Sequence, residues 1–125
     1  PKLVVTSPWK RCRDTVAPFA EKRRVKLVER HQLSELGNAK RPARTSNVID
    51  DLMEEAKATV VCSHRPSLPT ILRTIASYAP NVLKADIIAA ETLRPGQMLV
   101  VHVNRSLKRP RVVGYELHES ILVAD

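Results

Sequence analysis

The sequence predicts an α/β fold: a mostly parallel sheet with helices on both faces and a C-terminal antiparallel hairpin. Three observations carry this. Short apolar, β-branched runs alternate with segments of helical periodicity, the pattern of a sheet built from strand–helix repeats. Ala58–Ser63 is apolar without alternation, as expected of a central parallel strand covered on both faces. Two apolar runs near the end of the chain are joined by a short basic loop, which reads as a hairpin. At 125 residues, positions 1–125 make a single domain.

The elements follow in order. Leu3–Thr6 is a β-branched run closed by Ser7-Pro8 and reads as a buried strand. Ser7 before Pro8 suggests a helix N-cap with proline at the first helical position. The helix then spans about Trp9 to Lys22, with Cys12, Val16, Phe19 and Ala20 on one stripe. Val25–Val28 alternates weakly and reads as the second strand. Residues 30–44 are polar, carry Gly37 and Pro42, and read as a loop. Thr45-Ser46 offers a cap for a helix through about Lys57, its inward face Val48, Ile49, Leu52, Met53 and Ala56.

The third strand, Ala58–Ser63, runs into Ser63-His64-Arg65-Pro66. A helix from about Ser67 to Tyr78 presents Leu68, Ile71, Leu72, Ile75 and Ala76 inward. Residues 80–92 read as short helical or irregular structure. Pro95-Gly96 marks a turn into a hairpin of Met98–Val103 and Arg111–Leu117, expected at the antiparallel edge of the sheet.

Composition removes several functions. No apolar run reaches the ~18 residues of a membrane helix, and no apolar signal-peptide core lies near the start, so the expected location is cytoplasmic. Cys12 and Cys62 are too few for a disulfide framework or for a zinc site by themselves; no metal and no cofactor is expected. The net charge of +8 is uneven: residues 1–50 hold 12 Lys and Arg against 5 Asp and Glu. That excess favours an anionic partner. Aromatic residues make up only 3% of the chain, and no zinc-finger spacing occurs, so nucleic acid is disfavoured as the partner.

In open α/β sheets, ligands bind beyond the carboxyl ends of the strands. Two such ends carry suitable groups here. The first strand leads through Ser7-Pro8 to Arg11, and the third ends at His64. A helix start supplies free N–H groups, and a guanidinium grips phosphate oxygens in two places. Together these residues describe a site sized for a phosphoryl group.

The same residues carry a family likeness. Thr6-Ser7-Pro8-Trp9-Lys10-Arg11-Cys12-Arg13-Asp14-Thr15 resembles the Ser-Pro-x-x-Arg-(Cys/Ala)-x-x-Thr segment of the histidine phosphatase, or phosphoglycerate-mutase-like, superfamily. Val61-Cys62-Ser63-His64-Arg65-Pro66 resembles the segment bearing that family's second catalytic histidine. With Gly96 to Val103, these segments look closest to phosphatase domains fused behind a Nudix (MutT-type) hydrolase domain in actinobacteria. The likeness covers nearly the whole chain. It implies removal of a phosphoryl group from a phosphorylated small molecule, a nucleotide in such fusions, through a phosphohistidine and without a metal. It makes Arg11 a phosphate-binding residue and His64 a catalytic and phosphate-binding one. Leu33-Ser34-Glu35 resembles the Leu-x-Glu segment of mutase-type members, which makes Glu35 the catalytic acid, with His31 the lesser candidate for proton transfer.

One departure stands out. The family's Arg-His-(Gly/Ala) motif, which carries the nucleophile at the end of the first strand, does not occur; Arg30-His31-Gln32 falls after the second strand. The expectation is an N-terminally incomplete domain whose nucleophilic histidine and first strand lie upstream of Pro1, with the chain inactive alone. A missing central strand exposes apolar edge, so pairing with another chain, or with the missing segment, is expected. The alternative is a non-catalytic phosphate-binding or interaction module.

Overall fold

The structure, a computed structural model, describes residues 1–55, 57–106 and 108–119. Three strands, β1 (Leu3–Thr6), β2 (Lys26–Glu29) and β3 (Thr59–Cys62), form a parallel sheet in the order β2-β1-β3. The helices are α1 (Lys10–Arg23), α2 (Glu35–Lys40), α3 (Pro42–Glu54), α4 (Leu68–Ala76) and α5 (Asn81–Ala89). Strands β4 (Met98–Asn104) and β5 (Arg111–His118) form an antiparallel hairpin with a bulge between His102 and Val103.

Central β1 shows why both faces need helices. All four of its residues are buried. Successive side chains point to opposite faces. Val4 packs with Val16 and Ala20 of α1; Leu3 and Val5 join Ile49 and Met53 of α3, Ile71, Leu72 and Ala76 of α4, and Ile87 of α5. The hairpin belongs to this second core through Val112 and the half-buried Leu99, Val101 and Val103.

The α/β class and the two-sided packing agree with the sequence; the place of two strands does not. Ala58–Ser63 is not central. The strand within it, β3, lies at the edge of the sheet and among the described residues pairs only with β1, and Val61 is 37% exposed. An apolar run reports coverage of a strand's faces and is silent about its place in the ladder. Nor, among the described residues, is the hairpin an edge of this sheet: it is a separate two-stranded sheet. It is fastened by the Val112 N–H donating to the Tyr78 carbonyl at 2.9 Å and by Arg105 donating to the Leu52 and Met53 carbonyls. The Arg109 guanidinium also lies over the Tyr78 ring, 4.9 Å from its centroid.

Residues 30–44 are structured rather than looped. A 3₁₀ turn (His31–Leu33) leads to α2, and α3 begins at Pro42. Ser34 caps α2, accepting from the Gly37 N–H at 2.9 Å and donating to the His31 carbonyl at 2.8 Å. Thr45 is no cap. It lies inside α3, fully buried, and donates to the Gln32 carbonyl at 2.6 Å. The start of α3 is set by Pro42, whose missing N–H costs nothing in a first helical turn. The helix ends at Glu54, short of Lys57, and the expected inward Ala56 lies outside the described residues. Smaller shifts occur at β2, one residue later than Val25–Val28, and at α4, which a 3₁₀ turn (Arg65–Ser67) precedes. Residues 80–92 are helical, comprising α5 and a 3₁₀ turn.

Candidate anion site at two strand ends

Strands β1 and β3 are neighbours in parallel register, with Thr6 opposite Cys62, so the segments leaving them emerge side by side. The Ser7 N–H donates to the Cys62 carbonyl at 3.0 Å and extends the pairing one step past β1. Ser7 is fully buried. Its Oγ lies 2.9 Å from His64 Nε2 and accepts from the Trp9 N–H at 3.2 Å. The expected N-cap role of Ser7 is therefore corrected. The capping residue of α1 is Trp9, and the Ser7 hydroxyl instead fixes the His64 ring.

Three further groups surround that ring. The Trp9 indole packs against it, with centroids 4.9 Å apart and planes tilted by 54°. Cys12 Sγ lies 3.7 Å from Nε2. Arg11 and Glu35 are both near enough to act on its charge. Burial holds the His64 pKa below the ordinary histidine value; Glu35 opposes this and Arg11 adds to it. The ring is thus held neutral near pH 7, with one nitrogen a donor and the other an acceptor.

Glu35 reaches His64 through a tertiary device. The Ser63 hydroxyl donates to the Leu33 carbonyl at 2.5 Å, and the Ser67 hydroxyl to the Ser34 carbonyl at 3.4 Å. These bonds tie the 33–35 segment to the end of β3, while fully buried Leu33 anchors it in the core. Gly37 permits the close approach: a Cβ there would stand 2.3 Å from the His31 carbonyl oxygen.

The structure therefore brings together Arg11, His64 and Glu35. The Arg11 side chain is exposed and, among the described residues, makes no hydrogen bond or ion pair. His31 lies beyond the end of β2, exposed, with its carbonyl engaged by Ser34 and its ring making no hydrogen bond among the described residues. Sequence reasoning missed Ser7 as the partner of His64, Trp9 as its packing surface, and Cys12 beside its ring. The register of β1 on β3 sets all three, and a one-dimensional reading lacks it.

Among the described residues, no three His, Cys, Asp or Glu side chains are grouped to hold a metal ion, and no helix is long and apolar enough to cross a membrane. A groove of about 460 Å³ lies elsewhere, between α5 and the hairpin, lined by Asp86, Leu93, Arg94, Gln97, Tyr115 and Leu117. No protein-family model and no curated protein matches this sequence.

Proposed function

We propose that this chain is the phosphate-holding part of a histidine phosphatase-type hydrolase acting on a phosphorylated small molecule, with a nucleotide as the first class to test. The observation that carries the reading is the Ser7–His64 hydrogen bond across two adjacent strand ends, with Arg11 and Glu35 both acting on that imidazole. In this reading Arg11 grips phosphoryl oxygens through its guanidinium fork. Neutral His64 donates an N–H to another oxygen, and Ser7 and Trp9 fix the ring that does so. Glu35 delivers a proton to the leaving oxygen as its bond to phosphorus breaks.

The nucleophile is a histidine outside residues 1–125. Its ring nitrogen forms a bond to phosphorus as the substrate oxygen leaves, and water then cleaves the phosphohistidine. Catalysis rests on positioning and fixed charge. A fused Nudix domain and a cytoplasmic setting belong to the same reading. So does a partner segment pairing along β3.

Titration with inorganic phosphate, followed by NMR of the His64 ring, tests the site. Wild-type protein should bind, and Arg11→Ala or His64→Ala should weaken binding at least ~10-fold, the effect of losing one charge-assisted contact. Equal affinity in wild type and both variants would overturn the reading. Turnover of a nucleotide monophosphate by the longer protein, lost in His64→Ala, separates the hydrolase from a non-catalytic phosphate-binding module, which would bind phosphate without turnover.

A further inference from the structure

The edge of the sheet formed by β2 combines three features that the proposed chemistry does not use. The first is an open ladder. Among the described residues β2 pairs only with β1. The Arg30 N–H donates to the Thr6 carbonyl at 2.9 Å. Alternate residues of a strand turn their backbone groups the same way, so Lys26, Val28 and Arg30 face β1. Leu27 and Glu29 turn theirs to the open side. The second feature is an apolar groove of about 390 Å³ between β2 and α1, lined by Ala17, Ala20, Glu21, Arg24, Val25 and Leu27. Val25 and Leu27 lie on the α1 face of β2, packed with Val16 and Ala20, and two alanines on the helix wall leave the groove unfilled. The third is charge. Lys22, Arg23, Arg24, Lys26 and Arg30 are all exposed, and among the described residues none forms an ion pair. Of the two carboxylates in the same stretch, Glu21 and Glu29, the second is already held by Arg13 at 2.8 Å. Arg24 even occupies the left-handed C-cap of α1, at φ 55°, where glycine carries less strain.

We propose that the open edge of β2 binds an extended acidic segment of a partner protein, which adds to the sheet as a further strand. The backbone of the segment pairs with Leu27 and Glu29. Side chains alternate across a strand, and this sets the sequence recognised. Residues on the α1 side are aliphatic, and one of them fills the groove. Residues on the opposite side are acidic. Val28 packs into the other core, so Lys26 and Arg30, two positions to either side of it, share its face and meet those carboxylates.

Charge selects this occupant over a second copy of the chain. Two β2 edges paired together would set Lys26 and Arg30 against cations of the same kind, which opposes pairing. The open ladder and the apolar groove select a peptide over nucleic acid, which has no strand backbone to pair. The surface lies at the C-terminal end of α1, away from Arg11 in its first turn, and does not depend on the function proposed above.

The test is fluorescence polarisation of a labelled peptide, Glu-Leu-Glu-Val-Glu-Leu-Glu, with the whole chain. Wild type should bind it, and more weakly as salt rises. The same peptide with lysine in place of glutamate should not bind. N-methylation at the aliphatic positions removes the donors of an antiparallel arrangement, and N-methylation at the glutamates those of a parallel one. One of the two should abolish binding while the charge is unchanged. Lys26→Glu combined with Arg30→Glu should weaken binding by roughly 10-fold, since each reversal turns an exposed attraction into a repulsion. Val61→Lys, on the opposite edge of the sheet, should leave it unchanged. Amide shifts on binding, read by NMR, should centre on residues 25–30. No binding by wild type, or undiminished binding in the double variant, would overturn the proposal. Full affinity for both methylated peptides would do the same, because charge alone would then suffice. So would equal affinity for a single-stranded oligonucleotide of the same charge, shifts centred on β3, or a dimer of the chain that the peptide displaces at β2.

Discussion

Ser7 and His64 stand 57 positions apart in the chain, and their side chains meet at 2.9 Å. The contact exists because β1 and β3 run parallel with Thr6 opposite Cys62, so one residue past one strand faces two residues past the other. Ser7→Ala leaves a half-buried imidazole nitrogen and the Trp9 N–H without their partner. A loss of roughly 1–3 kcal/mol is expected in urea unfolding, the usual cost of orphaning a buried polar group.

Protonation of His64 should work against the fold. Burial lowers its folded-state pKa below the unfolded value near 6.5, so between the two values the unfolded chain binds more protons. The stabilisation is complete above pH 6.5 and is lost as pH falls through the folded pKa. Stability of wild type minus that of His64→Gln, measured from pH 8 to pH 5, should shrink on acidification. A flat difference would contradict this.

Tyr78 should show the opposite sign. Burial, then its hydrogen bond to Asp50 Oδ1 at 2.7 Å, raises its pKa to about 12. The folded state keeps the phenol proton longer, so its contribution is complete below pH 10 and is lost as pH rises toward 12. Tyr78→Phe should cost ~1.5–3 kcal/mol at pH 8, as expected for a hydrogen bond to a charged group. That gap should narrow when the unfolding series is repeated above pH 10.

Gly37→Ala should be felt at a distance. The added Cβ meets the His31 carbonyl oxygen at 2.3 Å, and backbone on both sides must yield. A destabilisation of roughly 1–3 kcal/mol is expected from such overpacking. The displaced segment carries Glu35, so the His64 pKa should fall further, read by NMR titration. An unchanged His64 titration would separate Glu35 from the site.

The outer edge of β3 should recruit another strand. Among the described residues β3 pairs only with β1, and Val61 is exposed on it. Sedimentation of the chain should show concentration-dependent association that Val61→Lys suppresses, because charge on an edge strand opposes edge-to-edge pairing. A monomer at all concentrations would exclude self-pairing through this edge.

How much of this was readable in advance depends on what kind of contact made each element. The β1 and β3 runs and the stripes of α1, α3 and α4 announce themselves because burial imposes a periodicity. Residues 31–40 do not, because hydroxyl-to-carbonyl bonds from Ser34, Thr45, Ser63 and Ser67 hold them, and such bonds leave no period. Ser7 misled for a related reason. A serine before a proline looks the same whether its hydroxyl caps a helix or orients a histidine. The place of Arg11 and His64 after two strands was legible in the sequence. Glu35 entered only through the family resemblance, and its nearness to His64 depends on the fold.

The strand order has a further consequence in time. Of the three described strands of the sheet, the central one leaves the ribosome before its neighbours, and β3, which pairs along its other side, follows more than fifty residues later. While α1 to α3 emerge, β1 has only β2 as a neighbour, and half of its ladder stays open to water. Closure waits on a contact of long sequence separation, the kind whose loop entropy slows folding. Nascent chains halted before residue 59 should therefore be digested by protease at β1, whereas chains halted after α4 should resist.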